Sequence, residues 1–351
     1  MTNCILINGR KIGPDCPTYI VAEMSANHNQ DFDQAVAIIR AAKDCGADAI
    51  KLQTFTADTH TIQSGNQYFR IEGGTPWDGE TLYDLYERAS MPWVWQPNLK
   101  KVAEELGLHI FSAAVDETSV DFLEEMNVPV HKAASFEIVD LPLLEKMART
   151  GKPIILSTGM ATLSEIEEAV NTIQKCGNKQ ILLLKCTSAY PAPPEDINLA
   201  TIPHLSRAFD VPVGFSDHTL GIAVAVAAVS LGACIVEKHF TLSRAMKTPD
   251  SAFSVEPQEF KAMVEAIRTA EKAIGHVHYG VSEHEKSNLV FRRSLFVVKD
   301  LNEGDIFTRE NIRSIRPGYG LPIRRLKDVL GKRANCDIEK GMPLKWDLIG
   351  G

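Results

Sequence analysis

His218 ends the run Val211-Pro212-Val213-Gly214-Phe215-Ser216-Asp217-His218, and His239 ends the next one, Cys234-Ile235-Val236-Glu237-Lys238-His239. Each run is mostly apolar and turns polar only at its C-terminal end. That pattern belongs to a strand covered on both faces of a parallel sheet, not to a half-exposed antiparallel strand. If the two runs are neighbours, both imidazoles stand at one rim. There they can share a divalent ion, Mn²⁺, Fe²⁺, Zn²⁺ or Mg²⁺, with water and substrate oxygens filling its other positions. A closed structural zinc site is not expected, because the cysteines are too dispersed to gather around one ion.

Two lysines carry the next signal. Lys51, within Ala49-Ile50-Lys51-Leu52-Gln53, and Lys132, within Val130-His131-Lys132-Ala133-Ala134, each interrupt an apolar strand. Burying an ammonium costs several kcal/mol unless an anion meets it, so the pair implies an anionic ligand. Ser135, Ser157 and Ser216 sit at comparable depths and can offer hydroxyl donors to a phosphate. Glu137 is the natural acid/base partner beside them.

These residues need a scaffold that brings strand ends together. Segments 19–26, 48–55, 109–115, 130–136, 153–159, 181–188, 211–217 and 234–240 read as strands, with helical patterns between them at 31–45, 163–176, 220–231 and, last, 257–274. The simplest closed arrangement is a (β/α)8 TIM barrel over residues 1–274, preceded by a hairpin turning at Asn8-Gly9. No Gly-x-Gly-x-x-Gly follows the first strand, which disfavours an open doubly wound sheet. Catalytic groups of such barrels come from strand C-termini. The polar residues there are Glu23, Asn27 and His28; Lys51 and Gln53; Ser112; Lys132, Ser135 and Glu137; Ser157 and Thr158; Thr187, Ser188 and Tyr190; Ser216 and His218; and Glu237, Lys238 and His239. The long polar stretch 56–80 is expected to lie over the barrel mouth.

Beyond a polar linker at 275–290, residues 291–351 change style. Arg293-Ser294-Leu295-Phe296-Val297-Val298 reads as a strand, Thr308-Arg309-Glu310-Asn311 as a helix start, and Lys340-Gly341-Met342-Pro343-Leu344 as a turn followed by a strand. A domain of this size folds alone only marginally.

Composition bounds the partners. The 351 residues carry a formal charge of -8 with 44% hydrophobic and 23% charged residues, which argues against a nucleic-acid surface. No apolar run reaches the length needed to span a bilayer, and no secretory leader is read at the N-terminus. The seven cysteines form no Cys-x-x-Cys and read as reduced thiols of a cytoplasmic protein.

The motifs Ala22-Glu23-Met24-Ser25-Ala26-Asn27-His28-Asn29, Ile50-Lys51-Leu52-Gln53-Thr54, Ser157-Thr158-Gly159-Met160, Tyr190-Pro191, Gly214-Phe215-Ser216-Asp217-His218-Thr219, Glu237-Lys238-His239-Phe240 and Arg316-Pro317-Gly318-Tyr319-Gly320 together resemble the sialic acid synthases over essentially the full length. Lys132-Ala133-Ala134-Ser135-Phe136-Glu137, Gly74-Thr75-Pro76-Trp77-Asp78 and Lys185-Cys186-Thr187-Ser188 look most like the pseudaminic acid branch of that family.

The resemblance implies a TIM barrel joined to a small antifreeze-like (SAF) domain, and condensation of phosphoenolpyruvate with 2,4-diacetamido-2,4,6-trideoxy-L-altrose. Alternatives are a neuraminate or legionaminate synthase using N-acetylmannosamine or a diacetamido-mannose, and a non-catalytic saccharide-binding protein. By resemblance, His218 and His239 would hold the divalent metal, Mn²⁺ with Mg²⁺ or Co²⁺ as alternatives, which would polarise the sugar aldehyde. Lys51 and Lys132 would hold the phosphoenolpyruvate carboxylate; Ser135, Ser157, Ser188 and Ser216 its phosphate; Glu137 would move a proton. Glu23, Tyr190 and Asp250 would meet the acetamido sugar, and Gln53 would bind substrate. Arg316 would reach the partner subunit's site in a domain-swapped homodimer. One departure is Ser112-Ala113-Ala114-Val115, where Ala113 lacks the hydroxyl usual in the family.

Overall fold

The structure, a computed structural model, describes residues 4–351 and divides into two compact units, one running to Gly275 and the other His276–Gly351. In the first, eight parallel strands close into a barrel: β1 (Tyr19–Glu23), β2 (Ala49–Thr54), β3 (His109–Ala114), β4 (His131–Ala133), β5 (Ile154–Ser157), β6 (Ile181–Cys186), β7 (Val213–Asp217) and β8 (Ile235–His239). The fold expected from the run pattern is the one observed. Closure comes from β8 pairing with β1, which sets His239 beside Glu23. The hairpin Ile5–Ile7 and Arg10–Ile12 precedes the barrel.

Helices alternate with the strands because capping residues start them and apolar stripes bury them. Asp31 accepts hydrogen bonds from Asp33 N and Gln34 N to open Phe32–Asp44, and Thr162 and Glu165 form a reciprocal cap at Leu163–Lys175. Ile166, Ala169, Val170 and Ile173 of the latter face the core at helical spacing. Inside the barrel, Gly214 is obligatory. A Cβ there would lie 2.7 Å from Leu184 Cδ2 and 2.8 Å from Ile235 Cβ, closer than carbon atoms pack.

Alternation along each strand decides which polar residues enter the interior. Glu23, Lys51, Gln53, Ala113, Lys132, Ser157, Cys186, Ser216, Glu237 and His239 share the inner face by register. Two rim candidates do not. Ser112 Oγ pairs with Thr54 Oγ1 at 2.6 Å, and Thr54 donates in turn to Gln96, so Ser112 belongs to the layer between strand and helix. Lys238 also points outward, to Asp217.

In the stretch 56–80, Trp77 reaches the mouth: its Nε1 donates to Pro249 O at 3.1 Å, and its ring lies 5.8 Å from that of Tyr190.

The second unit has its own apolar core around Leu295, Val297, Phe307, Ile312, Val329 and Leu344. Ser294–Val297 pairs antiparallel with Ile312–Ile315. Thr308–Asn311 is not a helix start but a turn. Thr308 N donates to Asn311 Oδ1 at 2.7 Å, and Glu310 N to Thr308 Oγ1, bonds that serve a turn as readily as an N-cap. The strand that follows takes the chain into the sheet. Within the stretch read as linker, Glu283–Phe291 winds into a 3-10 helix.

Candidate active site

Two clusters of buried polar groups meet at the C-terminal end of the barrel. The first is centred on Lys51, whose Nζ lies 2.8 Å from Glu23 Oε2 and 3.5 Å from Glu237 Oε1. Gln53 Nε2 donates to Glu23 Oε1 at 3.0 Å and to Ser25 Oγ at 2.9 Å, and Ser25 donates to Asp250. Burial would lower the Lys51 ammonium, yet Glu23 and Glu237 hold it charged, above its ordinary value. Burial pushes the Glu23 carboxyl up to about 7 against the pull of Lys51, helped by the charge of Glu237. Glu237, also pressed upward by burial, is brought below the usual carboxylate range by Lys51, Lys132 and His218.

A pH dependence follows. Glu23 binds its proton more tightly folded than unfolded, so its contribution to stability is full below its ordinary value of about 4.5 and is lost as pH rises toward 7. The share of stability that Glu23 contributes therefore falls over that window. Urea melts at pH 5 and pH 8 should show Glu23→Gln lacking this fall, a difference on the order of 2 kcal/mol.

The second cluster surrounds Lys132. Its Nζ is buried and donates to Ser157 Oγ at 2.7 Å and Ala133 O at 2.8 Å, and it forms no ion pair among the described residues. Burial drives its pKa down, with Glu237 opposing. Ser135 Oγ accepts from Gly159 N at 3.1 Å, and a Cβ at Gly159 would come within 2.6 Å of that hydroxyl and also strike Ser188. The chain thus keeps glycine where two serines converge. Ser216 Oγ donates to Glu237 Oε1 at 3.4 Å. Glu137, on the turn Ser135–Val139 after β4, is buried with Oε2 unpartnered, and burial raises its pKa against the charge of Lys132. Ala113 faces this interior between Gln53 and Lys132, with no hydroxyl to offer.

The histidines complete the rim. His218 and His239 rings lie 5.3 Å apart, and Tyr190 stacks on His218 at 4.5 Å. Phe253 closes the other side, 5.0 Å from His239 and 5.1 Å from Tyr190. His218 Nδ1 donates to Thr187 O at 2.9 Å, and against burial the Cys186 thiol and the Thr187 carbonyl hold this imidazole above its ordinary pKa, so Nε2 offers its lone pair only once it has lost its proton. Burial, the charge of His218 and that of Lys51 hold His239 far below its ordinary pKa, and its buried Nδ1 has no hydrogen-bond partner among the described residues. Two imidazoles on neighbouring strands fit a divalent ion, whose binding would displace the Nε2 proton of His218. Among the described residues no group of three or more His, Cys, Asp and Glu side chains is arranged to hold a metal, so the protein would supply two ligands and leave the rest to water and substrate.

The structure thus gathers Glu23, Lys51, Gln53, Lys132, Ser135, Glu137, Ser157, Ser188, Tyr190, Ser216, His218, His239 and Asp250 in the first unit. Arg316 lies in the second, exposed, directly after the strand Ile312–Ile315. Two further residues belong with the first set. Glu237 touches both Lys51 and Ser216, and its place two residues before His239 on the same strand face was its signal. Cys186 Sγ lies 3.8 Å from His218 Nδ1 and 3.9 Å from Ser188 Oγ. Burial would raise this thiol, but His218, Ser135 and Lys132 bring it down to about 7. Asn27 and His28 are structural. Asn27 donates to Phe240 O and Ser254 Oγ, and His28, pressed down to about 4 by burial, accepts from Gln30 N.

Comparison with known proteins gives a concordant picture. A family model described as NeuB family matches residues 38–279, and one described as SAF domain matches residues 292–350. A pseudaminic acid synthase of Helicobacter pylori is 45% identical over 95% of this chain and 98% of its own length. A second, from Campylobacter jejuni, is 42% identical over 94% of this chain and 96% of its own. Among solved structures, an N-acetylneuraminic acid synthetase from Leptospira borgpetersenii in complex with citrate superposes with a TM-score of 0.73 at 31% identity, covering 82% of this chain and 96% of that one.

Proposed function

This chain belongs to the NeuB family, and on that premise we propose that it condenses phosphoenolpyruvate with 2,4-diacetamido-2,4,6-trideoxy-L-altrose, giving pseudaminic acid and phosphate. The carrying observation is Lys132, a buried ammonium that donates to Ser157 Oγ and Ala133 O and forms no ion pair among the described residues, with the Glu237 charge acting on it from a distance. Such a charge calls for an anion, and phosphoenolpyruvate brings a carboxylate and a phosphate.

In this reading Lys132 and Lys51 receive the carboxylate, while Ser135, Ser157, Ser188 and Ser216 donate to the phosphate. Glu23, Gln53, Tyr190 and Asp250 orient the acetamido sugar so that its aldehyde carbon meets C3 of phosphoenolpyruvate. As the new carbon–carbon bond forms, positive charge develops at C2, which the buried carboxylates Glu237 and Glu137 stabilise. Glu137, its pKa raised by burial, gives its proton to the aldehyde oxygen as that becomes a hydroxyl and then accepts one from the water that adds at C2. Phosphate leaves by cleavage of its C2–O bond, taking the proton of the C2 hydroxyl as the ketone forms. His218 and His239 would hold a divalent ion, Mn²⁺ with Mg²⁺ or Co²⁺ as alternatives, which would supply Lewis-acid polarisation of the aldehyde oxygen.

Assembly and place are part of the same proposal. We place Arg316 in the partner subunit's site within a domain-swapped homodimer. Its exposure supports this, as do the apolar side chains around the barrel mouth: Phe136, Met160 and Leu220 are 58%, 64% and 62% exposed, a surface that suits cover by a second copy. Cytoplasmic work is supported by the unpaired state of the cysteines. Among the described residues no helix is long and apolar enough to cross a membrane.

A sugar panel tests the substrate. Phosphate release from phosphoenolpyruvate should be fastest with the diacetamido-altrose. A higher kcat/KM with N-acetylmannosamine or a diacetamido-mannose would reassign the chain to the neuraminate or legionaminate reaction. No release with any of them would leave saccharide binding without turnover.

A further inference from the structure

Behind the two rim histidines lies a buried ion pair that the chemistry above does not use. The register of β7 and β8 sets Asp217 opposite Lys238, each one residue before His218 and His239. Because side chains alternate along a strand, the histidines face the barrel interior and this pair faces the helix layer. Lys238 Nζ lies 2.6 Å from Asp217 Oδ2 and donates to Thr219 O at 2.7 Å. Asp217 Oδ1 accepts from Thr219 N at 2.9 Å and from Thr219 Oγ1 at 2.7 Å. Asp217 and Lys238 are each 1% exposed and Thr219 is fully buried.

This is more than a stability device. Taking two charges out of water consumes most of their attraction, so apolar side chains of similar volume are often as stable or better. What an apolar pair cannot do is direct hydrogen bonds. Here those bonds seize the backbone on the C-terminal side of His218 and tie it to the strand carrying His239.

We propose that Asp217, Lys238 and Thr219 form a clamp of positioning residues that fixes the spacing and ring orientation of His218 and His239, so that both imidazoles face one divalent ion. The proposal rests on the reading of the two histidines as ligands. Partners of this kind, outside the ligands themselves, commonly govern metal affinity by about 10–100-fold.

The test uses the full chain, with the double variant Asp217→Leu/Lys238→Met and the milder Thr219→Val. Three readouts are taken: thermal melting, Mn²⁺ affinity from the electron paramagnetic resonance of free Mn²⁺, and the His218 tautomer from ¹⁵N-histidine spectra without metal. The double variant should stay folded with a lower melting temperature, because Thr219 N, Oγ1 and O lose their partners. It should also lose about tenfold or more in Mn²⁺ affinity and show neutral His218 as a mixture of tautomers in place of one Nδ1–H form. Thr219→Val should move affinity and tautomer in the same direction by less, and it carries the test if the double variant does not fold. Folded variants with unchanged Mn²⁺ affinity and one unchanged His218 tautomer would overturn the clamp, whatever their melting temperature. A parent chain that binds no Mn²⁺ would overturn the metal reading instead, and the clamp would then stand or fall on the tautomer alone.

Discussion

Lys132→Met should lower kcat/KM for phosphoenolpyruvate by about 10²–10³-fold while the ligand-free protein keeps or gains thermal stability. Methionine nearly conserves the volume of the lysine stem, so packing around it changes little. What disappears is a buried ammonium with only Ser157 Oγ and Ala133 O as partners. Its desolvation costs several kcal/mol, against about 1–3 kcal/mol for the carbonyl left without a donor. Lys51 sets the contrast. It lies between Glu23 and Glu237, and Lys51→Met would leave two buried carboxylates facing each other. That variant should lose activity and also about 3–5 kcal/mol of stability. Steady-state kinetics and melting curves on the two variants separate a lysine kept for its ligand from one kept for both ligand and fold. A Lys132→Met protein of near-normal kcat/KM would remove the anion site from the reaction.

His218→Ala and His239→Ala should each abolish stimulation by Mn²⁺ and lower kcat by at least about 10²-fold, because either change leaves a single imidazole at the rim. Titration of chelator-treated enzyme with Mn²⁺ reads this directly. Loss of rate with an unaltered Mn²⁺ response would make the histidines substrate contacts and not ligands. His218 should be the more sensitive to its surroundings, since the Thr187 carbonyl fixes its tautomer, whereas His239 Nδ1 has no such partner.

Much of this arrangement is legible in the residues. Eight short apolar runs with polar C-terminal ends close most simply as a parallel barrel, and each expected strand overlaps an observed one because both faces of such a strand are buried and leave an apolar stretch. Lys51 and Lys132 are equally plain, as charges inside apolar runs. What single runs do not declare is parity. Lys238 interrupts β8 as Lys51 interrupts β2, yet one points out to Asp217 and the other into the site. The distinction follows once His239 is assigned inward, for then Glu237 must share its face and Lys238 cannot. The same rule turns Ser112 outward when Ala113 is inward.

Other features depend on contacts between distant segments and have no local signature. Cys186 looks like one more small apolar residue of β6 until the barrel sets it beside His218. Asn27, in a loop that reads as catalytic, is consumed by Phe240 O, Ser254 and Thr248 from the loop after β8. At Thr308–Asn311, side-chain bonds to the backbone suit a helix cap and a turn alike, and the pairing of Ile312–Ile315 with Ser294–Val297 selects the turn.

The central claim is that the anion site and the histidine rim together join phosphoenolpyruvate to an acetamido sugar with loss of phosphate by carbon–oxygen cleavage. Phosphoenolpyruvate labelled with ¹⁸O at the bridging oxygen, incubated with the enzyme, Mn²⁺ and 2,4-diacetamido-2,4,6-trideoxy-L-altrose, tests it in one mass-spectrometric measurement. The expected result is one nine-carbon keto acid per phosphate released, with the label in the phosphate. Label retained in the acid, or no phosphate and no nine-carbon product, would contradict it.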